Sequence, residues 1–133
     1  CKTSGSKGLQ LYVPINTPGL THEKAAEFAL VVGQVMEKQL PKRVTTVMAK
    51  AHRPGKIFVD WSQNALHKTT IAPYSLRARP EPTVSTPVSW DEVESCADGE
   101  LELRFEAPDV LARIEEHGDL FAPVLTLEQQ LPG

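Results

Sequence analysis

LQLYVPINTPGLTHEKAAEFALVVGQVMEKQL, residues 9–40, decides the fold class. Residues 9–15 are rich in large apolar side chains and are closed by Pro14 and the Asn16-Thr17-Pro18-Gly19 turn. That pattern predicts a strand buried on at least one face. Thr21 is placed to cap a helix, with Glu23 in its first turn. Ala25, Phe28, Ala29, Val32, Val35, Met36 and Leu40 then recur on one side at helical spacing until Pro41 ends the run. The plain reading is an amphipathic helix packed on a sheet, with Met36 as core filling.

Downstream, residues 44–48 predict a second strand or a short extended segment, and residues 50–56 a basic turn. Ile57-Phe58-Val59 makes a compact apolar strand that delivers Asp60 at its end. Residues 69–72 are another short β candidate. Residues 77–87 hold Pro80, Pro82 and Pro87 and read as an extended connection. Ser89-Trp90-Asp91-Glu92 fits a capping box, so a short helix begins there. Residues 101–105 alternate like a half-buried strand. Pro108 and Asp109 open a last helix through Val110, Leu111 and Ile114, with Gly118 as its C-cap. The tail, residues 121–131, is ordered in part through Phe121, Val124 and Leu127. No internal repeat or low-complexity tract is present. Strands and helices mix without a regular βαβ rhythm, so the expected class is α+β, a mixed α/β sheet flanked by helices.

At 133 residues and a formal charge of −3, the chain reads as one domain over residues 1–133, with 41% hydrophobic content sufficient for a core. No apolar run approaches the roughly 20 residues a membrane span requires, and no signal-peptide pattern is seen. Cys1 and Cys96 are too few for a disulfide scaffold and lack metal-ligand spacing, which suggests a reducing, cytoplasmic setting. The charge is unevenly spread. Residues 1–80 hold 12 of the 14 Lys and Arg but 4 of the 17 Asp and Glu, a formal +8; residues 81–133 hold the remaining 2 and 13, a formal −11. Either an anionic ligand meets the first segment and avoids the second, or two oppositely charged faces attract one another. The chain begins with Cys1, not Met, and enters at once into its most motif-like segment. It reads as a fragment, a processed product or a truncated form.

Two constellations carry chemistry. Ser4-Gly5-Ser6-Lys7-Gly8 sits just ahead of a strand. Its glycines let backbone N–H groups approach an anion, its serines add hydroxyl donors, and Lys7 adds a point charge suited to phosphate. It is not a Walker A loop, because the GxxxxGK[ST] spacing is missing and no helix follows; the alternative is an ordinary polar turn. The second is Asp60, a lone carboxylate after Ile-Phe-Val and preceded by Arg53 and Lys56. If buried it needs a cation, from Arg53, Lys56 or a metal. A strand-end salt bridge is the plainer expectation, since Mg²⁺ or Mn²⁺ usually takes two carboxylates and substrate phosphates. His52 and His67 have no spaced partner for zinc, and Cys96 sits in an acidic stretch, where a reactive thiolate is not expected.

Taken in order, these segments resemble one family. Lys2-Thr3-Ser4-Gly5-Ser6-Lys7-Gly8-Leu9 resembles the second motif of the archaeo-eukaryotic primase superfamily, in the branch found as the polymerase domain of bacterial DNA ligase D. Residues 55–64, GKIFVDWSQN, resemble that branch's third motif. Thr45-Thr46, Thr69-Thr70-Ile71-Ala72-Pro73-Tyr74-Ser75, Arg77-Ala78-Arg79-Pro80 and Val84-Ser85-Thr86-Pro87-Val88-Ser89-Trp90 extend the likeness from Lys2 to about Val93. The resemblance implies a partial primase-polymerase core that adds nucleotides, often ribonucleotides, to DNA ends or gaps in non-homologous end joining. It implies Mn²⁺ or Mg²⁺, a nucleoside triphosphate and DNA ends, with a ligase domain or an end-binding protein as further partners, at the nucleoid. Carried over by position, Ser4 and Lys7 hold the triphosphate, Arg53 adds a cationic contact, and Asp60 is the third metal-binding carboxylate. Gln10 stands where many members have a histidine on the triphosphate; it donates a hydrogen bond without a charge.

The family's first motif, a paired Asp-x-Asp that shares both metals, lies upstream of the segment matched here, and so does its pocket for a DNA 5′-phosphate. None of the four Asp and Glu in residues 1–80 forms such a pair. The expectation is a C-terminal half of a polymerase domain, inactive by itself. The alternative is a non-catalytic nucleotide- or DNA-binding module of the same descent.

Overall fold

The computed structural model describes residues 1–132, which form two compact units: Cys1–Asn16 joined by the chain from Ile71 onward, and Thr17–Thr70. The secondary structure is α+β, as expected: two small sheets and four helices. Among the described residues no helix is long and apolar enough to cross a membrane.

In the first unit, β1 (Lys2–Thr3) and β2 (Leu9–Gln10) pair antiparallel, Lys2 opposite Gln10 and Thr3 opposite Leu9. The centre of this unit is residues 83–88, every one of them buried. Their backbone is paired on both sides. Thr3 N donates to Thr86 O and Val88 N to Cys1 O, while Tyr74 N donates to Ser85 O and Arg77 N to Thr83 O. Four buried hydroxyls find backbone carbonyls: Thr83 on Gly5, Ser85 on Thr3, and Thr3 and Thr86 both on Val84. A polar core is stable only when its groups are satisfied in this way. The sequence reading made residues 77–87 an extended connection on the strength of Pro80, Pro82 and Pro87; from residue 83 onward this stretch is the core.

The expected strand over residues 9–15 is shorter and faces differently. Only Leu9 and Gln10 are strand, and Leu9, Leu11 and Val13 are exposed while Gln10, Tyr12 and Pro14 are half-buried. Residues 101–105 keep the alternation, with Leu103 and Phe105 half-buried, but do not join a sheet; Phe105 O accepts from Val84 N at 2.9 Å. The capping box of α2 (Trp90–Ala97) is present, Ser89 and Glu92 bonding reciprocally. Arg113 of α3 (Ala107–His117) grips the same Glu92 with both guanidinium amines and lies over the Phe105 ring at 4.6 Å. That grip, foremost, holds the Glu92 carboxyl below its usual range. Gly118 caps α3 at φ 69°, and a last turn, α4 (Pro123–Thr126), lies in the tail.

In the second unit, α1 (His22–Gln39) starts at Thr21, whose hydroxyl accepts from Lys24 N. It packs on β3 (Val44–Thr45) and on the turn at Trp61–Asn64. β3 pairs parallel with β4 (Ile57–Phe58). The packed side of α1 follows the expected spacing at Ala25, Phe28 and Ala29, which are half-buried, and departs from it in the second half of the helix. Val32, Val35 and Met36 are exposed, so Met36 is not core filling, and the one buried position is Gly33. A Cβ there would lie 2.8 Å from Thr46 Cγ2 and 3.1 Å from Val59 Cγ1. The helix approaches its neighbours by lacking a side chain, a signal that a search for apolar residues passes over. Residues 69–72 form no strand.

Gly33→Ala tests that contact. Alanine favours a helix interior by about 1 kcal/mol over glycine, but the overlap costs about 1–3 kcal/mol. Urea denaturation is expected to show net destabilisation; a net gain would mean that α1 does not pack through Gly33.

Candidate functional site

The β1–β2 hairpin closes through residues 4–8, and their backbone is shaped from within. Ser4 Oγ accepts from both Ser6 N and Gly8 N at 3.2 Å, and Ser4 N donates to Gly8 O at 2.8 Å. The hydroxyl expected to hold phosphate therefore also builds the loop; its own proton remains to be donated. Gly5 is buried at φ +67°, and a Cβ would lie 2.6 Å from Arg77 Cγ and 3.3 Å from Ser85 N. Only glycine meets both demands.

That approach brings the 74–79 segment alongside the loop. Arg77 lays its aliphatic stem on Gly5, and the Arg79 guanidinium donates to Ser6 Oγ. Lys2 lies beneath, fully buried, while Lys7 is exposed. Among the described residues none of these four cations has a carboxylate within ion-pair distance. The ion pairs present join Arg104, Arg113 and His117 to Glu81, Glu106, Glu92 and Glu116. Every member of those pairs lies in residues 81–133. The acidic third thus neutralises its own arginines and leaves the basic residues of the first 80 unpaired. Beside the loop, a cavity of about 130 Å³ is lined by Thr3, Ser6, Arg79, Thr83, Glu102 and Arg104 among others.

Gln10 is half-buried, and its carboxamide oxygen accepts from Lys2 Nζ at 2.6 Å. Lys2 Nζ also donates to Ser85 Oγ at 2.5 Å and lies 5.6 Å from the Tyr12 ring centre. Burial, with the Arg77 charge second, pulls the Lys2 ammonium down to about 8. Across the unit, burial and a hydrogen bond to Asp119 push the Tyr74 hydroxyl up to about 12.

In the second unit, β4 delivers Asp60 to the surface. The expected strand-end salt bridge is absent: Asp60 is exposed and in no ion pair, and Oδ1 accepts from Ser62 Oγ at 2.7 Å. Exposure removes the desolvation cost that would have required a cation. Arg53 instead stacks on the Phe58 ring at 3.7 Å and donates to Met48 O, while its Nε is buried without a partner. The turn carrying Asp60 is anchored by Trp61 Nε1 on Thr46 O at 3.2 Å and by Gln63 Nε2 on Thr69 O at 2.6 Å. Glu37 is held below the usual carboxylate range by the hydroxyl and N–H of Thr46. Among the described residues no three His, Cys, Asp or Glu side chains gather as a metal site.

The sequence reading singled out Ser4, Lys7, Gln10, Arg53 and Asp60. It passed over Lys2, Arg77 and Arg79 as site residues. The alternate spacing of the two arginines was visible; their place beside the loop was not.

Comparison with known proteins fits this picture. Residues 1–121 match the family model described as LigD, primase-polymerase domain. The chain is 54% identical over 123 residues to the multifunctional non-homologous end joining protein LigD of Mycolicibacterium smegmatis, covering 92% of this chain and 15% of that protein. Its counterpart in Mycobacterium tuberculosis is 48% identical over 89% of this chain and 15% of its own length. The bifunctional LigD of Bacillus subtilis is 34% identical over 88% of this chain and 19% of its own. The chain also superposes on the polymerase domain from M. tuberculosis ligase D in complex with DNA, with a TM-score of 0.85 and 46% identity. That match covers 92% of this chain and 41% of the solved one.

Besides the Cys1 α-amino group, which burial pulls below its usual value, the displaced titrations of Lys2 and Tyr74 shape the alkaline stability of the first unit. From about 8 to the ordinary lysine value of 10.5, the unfolded chain holds more protons than the folded one at Lys2, so stability rises with pH. From the ordinary tyrosine value of 10.0 to about 12 the folded chain holds more at Tyr74, so stability falls. Urea midpoints are expected to climb from pH 7.5 to about 9.5 and drop by pH 11. Lys2→Met should remove the climb and Tyr74→Phe should lessen the drop; variants that follow the wild-type curve would contradict the assignment.

Proposed function

Because this chain belongs to the LigD primase-polymerase family, we propose that it supplies the nucleoside-triphosphate side of a nucleotidyltransferase that extends DNA ends or gaps in non-homologous end joining. The observation that carries this reading is the loop at residues 4–8, beside Lys7, Arg77 and Arg79 and above the buried Lys2, cations with which no carboxylate forms an ion pair among the described residues. A polyanion compensates such a cluster better than water does, because several charge-assisted bonds form at once.

Lys7 gives the loop an exposed ammonium, Arg79 and Arg77 give guanidinium groups, and Ser4 gives its hydroxyl proton. Gln10 gives a carboxamide donor. By its position in the family's motifs, Arg53 is assigned as a further cationic contact. Asp60 stands unpaired at a strand end and is assigned as a metal ligand. A single exposed carboxylate does not make a Mg²⁺ or Mn²⁺ site, so the residues here do not by themselves fit the ion. It requires carboxylates beyond those described. DNA as the acceptor is supported by the solved relative, a polymerase domain in complex with DNA. A ligase domain or an end-binding protein, and a setting at the nucleoid in the cytoplasm, belong to the same proposal.

The test is primer extension with Mn²⁺ and ribonucleoside triphosphates. The product of the whole gene is expected to extend a DNA end, and Asp60→Asn to lower the rate by about 10²-fold or more, at least what losing a second-shell support costs a metal site. Residues 1–133 alone are expected to be inactive. Extension by the isolated chain would overturn the need for further carboxylates. A whole-gene product that binds triphosphate without extending DNA would select the non-catalytic module.

A further inference from the structure

Lys2 is fully buried, yet among the described residues its ammonium meets no carboxylate. Its partners are two neutral oxygens, Gln10 Oε1 at 2.6 Å and Ser85 Oγ at 2.5 Å, and the face of Tyr12 at 5.6 Å. The Ser85 hydroxyl donates to Thr3 O at 2.7 Å, so its proton is committed and toward Lys2 it can only accept. Burying an ammonium with this support is costly. If Lys2 served packing alone, a methionine would fill the space without the desolvation penalty.

What the charge does is visible at Gln10. A carboxamide can turn end for end, placing oxygen or amine on either side with little change in shape. An ammonium has donors only, so the oxygen must face Lys2 and the turn is forbidden. The amine is left for another partner, and the position offers donors to it and no acceptor. That is the chemistry of an anion contact at the exit of the 4–8 loop.

We propose that Lys2 is a positioning residue that locks the Gln10 carboxamide so that its amine can donate to a phosphate oxygen of a triphosphate bound at the 4–8 loop. The assignment rests on the reading of that loop as a triphosphate site. Deprotonation of Lys2 releases the lock, because a neutral amine can accept as well as donate. The charged and titratable groups nearest Lys2 are the Arg77 guanidinium, the Tyr12 hydroxyl and, one residue before it, the Cys1 α-amino group, which burial pulls below its usual value; the Lys2→Met variant keeps that amino group and so separates its titration from the lock.

The experiment follows the side-chain NH₂ resonances of Gln10 in the full chain, from pH 6.5 to 9.5 and with added Mg²⁺·GTP. In the wild type they are expected to move with a midpoint near pH 8, and to move again on nucleotide addition. Lys2→Met should be at least as stable at pH 7 and lose the pH step. It should also bind GTP about tenfold more weakly, the size of one hydrogen bond to a charged group. Wild-type affinity should fall by a similar factor between pH 7 and 9.5, while the variant's stays flat. A Gln10 amide indifferent to pH in the wild type, which needs no variant to observe, would overturn the lock, as would a variant that binds GTP as the wild type does. GTP that moves no resonance in residues 4–8 of the wild type would overturn the triphosphate reading and the purpose given to the lock. The Gln10 pH step would still report whether the lock exists.

Discussion

Residues 83–88 run buried between two neighbouring segments, and the position of every basic group at the loop depends on that burial. Thr3 N on Thr86 O fixes β1 on one side; Arg77 N on Thr83 O fixes the arginine segment on the other. Thr83 Oγ1 on Gly5 O, 2.5 Å, ties the loop directly to the same strand-like stretch. Because three of the six buried side chains carry hydroxyls, Thr83, Ser85 and Thr86, packing and hydrogen bonding are one constraint here. A side chain that leaves a carbonyl unsatisfied disturbs the loop as well as the core.

The electrostatics follow from this framework. Lys2 and Arg77 are brought to the loop by backbone pairing, and among the described residues no carboxylate pairs with them or with Arg79, although Glu102 lines the cavity beside Arg79. Glu92 is committed to Arg113 and to its own helix cap, and Glu81 and Glu106 to Arg104. A domain with a net negative charge can in this way keep a positive site. The overall charge of −3 says nothing of it, whereas the distribution of partners does. The second unit shows the same economy: Asp60 stays exposed, and the arginine nearest in sequence stacks on Phe58 instead of pairing with it.

Much of the fold was legible where local rules act. Thr21, Ser89 and Gly118 mark helix ends by side-chain chemistry or by the backbone conformation glycine permits, and each is found there. The class and the family motifs were legible for the same reason, being contiguous. What could not be read were long-range choices. The α1 spacing pointed to Met36, but a helix that docks through Gly33 is recognised only from the surface it meets. The prolines around residues 83–88 suggested a connection, because nothing local shows that Thr3 and Gly5 supply the partners. At the site, Ser4 and Lys7 were visible in their motif. The dual use of Ser4 Oγ, the reach of Arg79 to Ser6 and the burial of Lys2 each depend on a partner many residues away. Asp60 was expected in a salt bridge because its burial was assumed from the apolar strand before it; the chain turns outward one residue after Val59.

The central claim is that residues 4–8 hold a triphosphate, and a crystal structure of this chain grown with Mg²⁺ and a non-hydrolysable nucleoside triphosphate tests it most directly. The account predicts phosphate density against the loop, with oxygens in hydrogen-bond reach of Lys7, Arg79 and the Gln10 amine. A triphosphate bound elsewhere, or a loop left without one at saturating nucleotide, would contradict it.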